Sequence, residues 1–399
     1  MSESKHYFQL KGVAAEEVVQ NLAVRSFFTD WCYLNPKMPD GKELCDLLIV
    51  FDRVVIICQI KNLKLGSDGH YSRNEVDKNI RQLSGARRQM FDLKRPISLS
   101  NPRRGVEVFD PSTIQEVYLI SVLAGEGEAI FPAVEAIKDK TAHVFTSSFV
   151  ETALTELDTV ADFVQYLKAK EALLQKLNTL LILGGEEELL AHYLMQGRTF
   201  DDLANATDAV LEEGCWAGLQ DRHEYKAKKG ADKISYGWDN MIDRVHERGS
   251  LEYERLAREI ARPSRFERRF LSKVFFEAQV LAHEDSEHDV IRRVLPMDGR
   301  TYCFIFADDP EPRDRRKAML KGLSFVARGK YKQNTTVIGI ATEKKLRPEC
   351  TYDYCLLEMP KWSEEDDRRL EEIQRTTGLL TNVILGEARE DEYPSDDKS

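Results

Sequence analysis

The chain has 399 residues, of which 42% are hydrophobic and 31% are charged. This composition excludes a collagen, a coiled-coil rod and a fully disordered chain, and the length predicts two to three domains. No run approaches the roughly 20 apolar residues of a membrane-spanning helix, and the first residues lack the apolar core of a signal peptide. We therefore expect a cytoplasmic protein that does not bind membranes. Seven cysteines without a C-x-x-C pair predict reduced thiols, not disulfides or a zinc knuckle.

Charge is distributed unevenly along the chain. The net charge of -11 argues against a protein that coats nucleic acid by bulk electrostatics. Between Lys61 and Arg104, however, there are eleven basic residues and four acidic ones, a local balance of +7. Residues 363–399 hold twelve acidic and five basic side chains, and the last part, 387–399, is predicted to be a disordered acidic tail. We expect this tail to shield the basic segment when no nucleic acid is bound.

Two apolar runs, ELCDLLIVF and VVIICQIKN, predict a buried hairpin near residue 50. They are rich in β-branched residues and are separated by Asp52 and Arg53 alone, as in a tight two-residue turn. The other elements predicted for the first 150 residues are a helix at 14–29, a loop at 33–42, a helix after a Ser72-x-x-Glu75 capping box, strands at 114–123 and 142–149, and a short helix at 133–138.

This order of elements predicts an α/β fold with several parts. The predicted parts are a mixed α/β core at 1–150, a mainly helical region at 151–295, a small α/β domain at 296–386 and the acidic tail at 387–399. Within them we predict an amphipathic helix at 265–280, strands at 301–309, 335–343 and 352–359, a basic helix at 315–327, and a capped acidic helix at 363–374.

Three polar residues interrupt the apolar hairpin. Asp46 lies in the first strand, and Gln59 and Lys61 are two apart on the second strand, so that both point to one face. Given the predicted turn, Asp46 falls near Gln59 across the pair, with Lys61 beside them. Polar groups buried in an apolar hairpin are costly unless they bind one another or a ligand. The hairpin is therefore the candidate site.

The hairpin sequence ELCDLLIVFDRVVIICQIK resembles the PD-(D/E)xK nuclease superfamily, in the Mrr-like branch that has Q-x-K in place of E-x-K. The resemblance covers about the first 150 residues and implies a restriction-endonuclease-like mixed-sheet core, followed here by the helical region and the small α/β unit. The chain departs from the commonest family pattern at two positions. Cys45 replaces the usual proline, and Gln59 replaces a carboxylate, which is the stronger metal ligand.

The resemblance also implies roles for individual residues. Asp46 and Gln59 would hold Mg²⁺, for which Mn²⁺ can substitute, and Glu16 would be the additional acidic ligand, ranked ahead of Glu17. The metal would acidify a water that attacks phosphorus, and Lys61 would orient or deprotonate that water. The expected nucleic-acid contacts come from the basic residues that follow the hairpin: Arg87, Arg88, Lys94 and Arg95.

We accordingly predict a Mg²⁺-dependent endonuclease that hydrolyses phosphodiester bonds, of DNA in preference to RNA, in prokaryotic defence or restriction. A homo-oligomer and a partner protein bound through residues 151–386 are further expectations. The alternative is a catalytically inactive nuclease-fold module that binds or assembles through a partner protein. A third hypothesis makes the C-terminal unit a ligand sensor.

Simpler interpretations stand beside these roles. Asp46 and Lys61 can form a buried structural ion pair. Glu16 can be a solvated acid that stabilises the first turn of a helix. Arg87 lies on the apolar stripe of its helix, where it either extends to solvent or holds a phosphate.

Overall fold

The computed structural model describes residues 2–63, 71–93, 96–125, 134–137, 140–203, 205–297, 299–308, 312–347 and 350–394. The protein is α/β with a mixed sheet. The elements of the first part are α1 Ser2–Phe27, β1 Cys32–Leu34, β2 Leu47–Phe51, β3 Val54–Asn62, α2 Arg73–Arg87, β4 Ile97–Asn101, β5 Gly105–Phe109, β6 Glu116–Ala124, β7 Val134–Ile137 and β8 Lys140–Thr146.

A six-stranded mixed sheet in the order β1-β2-β3-β6-β8-β7 organises this part. Strands β1, β2 and β3 form an antiparallel meander, β6 and β8 continue the sheet in parallel with β3, and β7 pairs antiparallel with β8. Phe51 pairs with Val54, which confirms the predicted hairpin with its turn at Asp52 and Arg53. Asp52 has a φ of 53°, a left-handed conformation that Asp tolerates better than most residues.

Two predictions in this part are wrong. Residues Val134–Ile137 form strand β7 and not part of a helix, because all four pair with residues 140–143 of β8. Pairing with a neighbouring strand overrides the local preference of Ala and Glu for helices. Part of the predicted loop at 33–42 belongs to β1, a three-residue strand that pairs with β2 and is too short to show a period in sequence.

Other elements differ from the prediction at their ends. The predicted strand at 142–149 ends at Thr146, whose hydroxyl accepts a hydrogen bond from the Phe149 amide at 3.2 Å and so caps the next helix. Helix α2 begins after Ser72 as predicted, but the Ser72 side chain forms no capping hydrogen bond. The two-stranded sheet of β4 and β5 is absent from the prediction.

The following part is mainly helical. Its elements are α3 Ser147–Glu156, α4 Val160–Lys176, β9 Thr179–Ile182, α5 Glu186–Met195, β10 Asp208–Leu211, α6 Cys215–Asp221, α7 His223–Ala231, α8 Tyr236–His246, α9 Leu251–Ala261 and α10 Arg265–Glu284. Helix α10 contains the predicted amphipathic helix and continues four residues beyond it. Among the described residues, no helix combines the length and the apolar character needed to cross a membrane.

The C-terminal part is built on a four-stranded sheet in the order β11-β12-β13-β14. Its elements are β11 Val290–Met297, β12 Arg300–Ala307, α11 Arg313–Lys330, β13 Thr336–Glu343, β14 Asp353–Glu358 and α12 Glu364–Thr377. Strands β12 and β13 are parallel and connected through α11. Strand β11 is absent from the prediction and begins before residue 296. Ser363 and Asp366 form the capping box of α12.

The hydrophobic core runs across the predicted boundaries at 150 and 295. One cluster of buried side chains includes Ile56 of β3, Phe163 of α4, Trp238 of α8 and Phe304 of β12. The rings of Trp238 and Phe304 lie 6.4 Å apart in an edge-on arrangement. The three parts therefore share a buried apolar interface, which restricts their relative movement.

The acidic C-terminal segment is attached to the helical region where the structure describes it, contrary to the predicted disordered tail. Glu392 accepts a hydrogen bond from Nε of Arg198 at 2.9 Å. Glu390 lies 3.4 Å from Nε of the buried Arg269 and accepts a hydrogen bond from Lys273 at 2.8 Å. The described ion pairs that join this segment to the rest of the chain thus go to cations of the helical region, and not to the basic segment that we expected the tail to shield. Residues 395–399 lie outside the described part of the chain.

Candidate functional site

Asp46 and Gln59 lie next to each other across the hairpin, as predicted, although Asp46 directly precedes β2 and is not within the strand as expected. Leu47 pairs with Cys58, so Asp46 stands opposite Gln59. Nε2 of Gln59 donates a hydrogen bond to Oδ2 of Asp46 at 2.7 Å, and the amide of Ile60 donates to the same oxygen at 2.5 Å. Asp46 and Gln59 are both buried, with 8% and 9% of their surface exposed. The hairpin therefore presents a carboxylate and an amide as one hydrogen-bonded unit.

Glu16 of α1 is connected to this unit through Gln20, one helical turn later. The Gln20 amide group donates hydrogen bonds to Oε1 of Glu16 at 3.1 Å, to Oδ1 of Asn35 at 3.0 Å and to the main-chain oxygen of Asp46 at 2.8 Å. Gln20 is 5% exposed, so the donor of these three hydrogen bonds is shielded from solvent. Glu16 is half-buried, whereas Glu17 is exposed. This agrees with the expectation that Glu16, and not Glu17, is the additional acidic ligand. The solvated-acid interpretation of Glu16 is therefore the weaker one.

Lys61 is on the same face of β3 as Gln59 and is partly exposed. Its Nζ lies 3.9 Å from Oε2 of Glu75 on α2. Among the described residues, Glu75 is the carboxylate that pairs with Lys61. The alternative of a buried Asp46–Lys61 ion pair is thus not what the structure shows. With 30% of its side chain exposed, the Lys61 ammonium is accessible to a ligand.

Asn79 belongs to the site although the sequence analysis did not identify it. It is fully buried on α2, and its Nδ2 donates hydrogen bonds to the main-chain oxygen of Gln59 at 3.1 Å and to Oγ of Ser121 at 2.7 Å. Ser121 is the partner of Gln59 in the parallel pairing of β3 with β6. The only signal in sequence was a polar residue on the apolar stripe of α2, between Val76 and Leu83. Asn79 fixes the position of β3 at Gln59.

A cleft of about 540 Å³ opens over Asp46 and Gln59, between the segment that precedes β2 and helix α2. The polar side chains that line it are Asp40, Lys42, Glu43, Asp46, Gln59, Gln82 and Gln89. Gly85 and Ala86 line the same wall and leave the helix surface open to a ligand. Three carboxylates and one ammonium make the lining acidic, so an anion is not attracted to this cleft without an added cation.

The environment raises the pKa of Asp46 to about 7, from the ordinary 3.8. Burial is the main cause, and the nearby carboxylates of Glu16 and Glu43 raise the pKa further. The hydrogen bonds from the Ile60 amide and from Gln59 act in the opposite direction and offset part of the shift. The site therefore favours either a proton or a cation at Asp46.

This pKa predicts how stability depends on pH in the absence of divalent cations. A pKa raised from 3.8 to about 7 means that the folded state binds more protons than the unfolded state between those pH values. Stability is therefore lost as the pH rises through this window. An Asp46→Asn protein lacks the effect and is expected to be more stable than the wild type by a few kcal/mol at pH 8 but not at pH 4. Urea denaturation in EDTA measures the difference, and an equal difference at both pH values would contradict the assignment.

The predicted nucleic-acid contacts have different environments. Arg88 is exposed at the end of α2, beside exposed Lys78 and Arg81 on the same helix. Arg87 is mostly buried, and its Nη1 lies 3.2 Å from Asp92. Lys94 and Arg95 lie outside the described residues.

The last two cations of the basic segment are paired with carboxylates of the same protein. Arg104 is 6% exposed, and its Nη1 lies 3.3 Å from Asp30 and 2.8 Å from Glu254. Arg103 lies 3.0 Å from Asp30 and 3.5 Å from Asp243. Both arginines join the β4–β5 hairpin to α8 and α9, so their charge is offset by carboxylates of the protein. Within the described part of the segment, the exposed basic residues that remain unpaired with these carboxylates are those in and next to α2.

Comparison with known proteins adds no further assignment. No family model matches the chain, and no match was found among curated proteins or solved structures.

Proposed function

We propose that the protein is a Mg²⁺-dependent nuclease that hydrolyses phosphodiester bonds of nucleic acid, of DNA in preference to RNA, at the hairpin site. The observation that carries the proposal is the hydrogen-bonded pair of Asp46 and Gln59, with Glu16 linked to it and Lys61 on the same face. The arrangement of elements around this pair supports a restriction-endonuclease-like core. Helix α1 is followed by the antiparallel strands β1, β2 and β3, then by α2 and, after the β4–β5 hairpin, by β6, which is parallel to β3.

The residues of the site fit a hard divalent cation. Asp46 and Glu16 offer carboxylate oxygens and Gln59 offers an amide oxygen, and Mg²⁺ prefers such oxygen ligands. Burial, and after it repulsion by Glu16 and Glu43, raises the pKa of Asp46, and a cation would offset the buried charge and relieve that repulsion. When bound, Mg²⁺ supplies a water that is acidic enough to attack phosphorus at neutral pH.

The chain itself would position the substrate and balance its charge. Lys61 would contact the attacking water or the phosphate, because its ammonium is accessible beside Gln59. Gln20 and Asn79 hold the two strands at Asp46 and Gln59. Exposed Arg88 would contact the nucleic-acid backbone outside the acidic cleft.

The test is cleavage of supercoiled plasmid, single-stranded DNA and RNA by the wild type with Mg²⁺, Mn²⁺ or EDTA. We expect cutting with either metal and none in EDTA, with DNA cut faster than RNA. A Lys61→Met protein is expected to lose activity, because it lacks the ammonium beside the site. Lys42→Met is the control for loss of a lysine near the site. Lys42 lines the cleft over Asp46, as Lys61 does not, but it has 83% of its side chain exposed and pairs only with Asp40 among the described residues.

A thermal unfolding scan separates this proposal from an inactive nuclease fold. Binding of Mg²⁺ or Mn²⁺ to the folded state raises the melting temperature of the wild type. No cleavage together with an unchanged melting temperature in both metals would overturn the proposal and favour a module that acts through a partner protein.

A further inference from the structure

A second group of potential metal ligands lies at the contact between the six-stranded sheet and the helical region. It consists of Asp30, which precedes β1, and of Asp243 and His246, which lie one turn apart on α8. One ligand atom from each of the three falls within 4.8 Å of the others. Asp30 and His246 are 1% and 3% exposed, whereas 48% of the Asp243 side chain is exposed, which leaves one side of the group open to solvent. We call this group the junction cluster.

The histidine and the buried aspartate face each other without a hydrogen bond. Nδ1 of His246 lies 3.2 Å from Oδ2 of Asp30, and neither atom has a hydrogen bond of normal geometry, although the same Oδ2 lies 3.0 Å from Nη1 of Arg103. Ligand atoms at 2.0–2.1 Å from a tetrahedral Zn²⁺ are about 3.3–3.4 Å apart, so this separation is that of two ligands of one ion. A neutral imidazole with its proton on Nε2 would direct the lone pair of Nδ1 towards the carboxylate, which is unfavourable unless a cation lies between them.

The surroundings hold both side chains in this orientation. Oε2 of Glu254 lies 3.3 Å from Nε2 of His246, although this pair too has no hydrogen bond of normal geometry. A proton on Nε2 would face this carboxylate and leave Nδ1 free for a metal. Asn101 donates a hydrogen bond to the main-chain oxygen of Asp30 at 2.8 Å, and Arg104 donates to the same oxygen at 3.0 Å. A carboxylate behind the ligating histidine is the usual arrangement in zinc sites.

We propose that the junction cluster is a site for one zinc-like divalent cation, held by Asp30, Asp243 and His246 and oriented by Glu254. A mixed nitrogen and oxygen donor set suits Zn²⁺ better than Mg²⁺, which favours oxygen ligands alone. Such an ion connects the chain before β1 to α8, and its binding stabilises the contact between the six-stranded sheet and the helical region.

Arg103 competes with the metal for this position. Its Nη1 lies 3.0 Å from Asp30 and its Nη2 lies 3.5 Å from Asp243, so a positive charge already stands between the two carboxylates. The Arg103 side chain is 32% exposed and has solvent into which it can move. The site therefore has two alternative occupants, the guanidinium and the metal ion.

The local charges at the junction favour a divalent cation. Four carboxylates and two other arginines meet there: Asp30, Glu107, Asp243, Glu254, Arg104 and Arg258. They leave two negative charges, of which Arg103 neutralises one, whereas a divalent cation would neutralise both. Zinc binding is therefore coupled to release of Arg103.

The test is a Zn²⁺ titration of metal-free full-length protein against a chromophoric chelator at pH 7.5. We expect one equivalent to bind to the wild type. His246→Gln and Asp30→Asn are expected to weaken binding by at least about 100-fold, because even second-sphere changes cost 10- to 100-fold. Arg103→Gln is expected to tighten binding by about tenfold, because it removes the competing cation. Asp46→Asn is the control for binding at the hairpin and should leave this equivalent unchanged.

Cobalt provides a readout of geometry. Co²⁺ bound at the junction cluster is expected to show the intense visible absorption of a tetrahedral site in the wild type and in Arg103→Gln, but not in His246→Gln. The proposal is overturned if no zinc equivalent binds, or if the equivalent persists in His246→Gln. An affinity of Arg103→Gln for zinc equal to or below that of the wild type also overturns the proposal. Because Arg103 is partly exposed, this substitution should leave folding intact, whereas Asp30 and His246 are buried and their substitution can disturb folding.

Discussion

Replacing Asp46 with asparagine is expected to reduce metal-dependent cleavage by roughly a thousand-fold or more. A bound metal contributes several kcal/mol to such reactions, and each 1.4 kcal/mol corresponds to a factor of ten in rate. Asparagine has nearly the same shape but no negative charge, and it cannot offset the charge of the ion. The fold should be retained, because a neutral amide avoids both the burial of a charge and the repulsion by Glu16 and Glu43, the causes that raise the pKa of Asp46. Single-turnover rates at saturating Mg²⁺ measure the effect.

Asp40→Asn is the matched control for this experiment. Asp40 lines the same cleft, but 56% of its side chain is exposed, and it lies 3.7 Å from the exposed Lys42. We expect its rate to stay close to that of the wild type. Equal losses in the two variants would attribute the effect to the charge of the cleft, and an unchanged rate in Asp46→Asn would remove Asp46 from the site.

Replacing Arg265 with methionine is expected to destabilise the protein by about 3–5 kcal/mol, the usual cost of removing one partner from a buried ion pair. Arg265 is 3% exposed at the start of α10. Its Nε donates a hydrogen bond to Asp158 at 2.8 Å, and its Nη1 donates to Asp239 at 2.8 Å and to Ser235 at 3.1 Å. Methionine fills part of the volume but leaves Asp158 without its described cation, whereas Asp239 keeps Arg268 at 2.8 Å. Urea denaturation followed by tryptophan fluorescence gives the change in free energy of unfolding.

An exposed arginine provides the comparison for this second prediction. Arg255 has 68% of its side chain exposed and pairs with Glu358 across the contact between α9 and β14. Exposed ion pairs contribute at most about 1 kcal/mol, so Arg255→Met should change stability little. If Arg265→Met changed the free energy of unfolding as little as Arg255→Met, the buried ion pairs of Arg265 would not contribute to stability as expected.

The hairpin and its polar pair could be predicted from the sequence because both depend on neighbouring residues. Two apolar runs with two residues between them define the turn at Asp52 and Arg53, and the alternation of a strand then places Gln59 opposite Asp46. The capping box of α12 is likewise local, since Ser363 and Asp366 are three residues apart. The identity of the pair was thus decided within about 15 residues of chain.

Contacts between distant residues could not be predicted in this way. Arg104 looked like part of a basic surface, but its buried partner Glu254 lies 150 residues further along the chain. Gln20 and Asn79 have the composition of ordinary helix residues, and their roles come from the strands against which α1 and α2 pack.

The sequence by itself therefore determined the α/β character, the hairpin and the alignment of Asp46, Gln59 and Lys61. The tertiary structure decided which charges are buried, where the acidic C-terminal segment binds and which segments become strands, as β7 shows. The physical reason is the distance along the chain over which each kind of interaction acts. Periodicity and turn chemistry act over a few residues, whereas the desolvation of a charge and the pairing of an edge strand depend on groups that only the complete fold brings together.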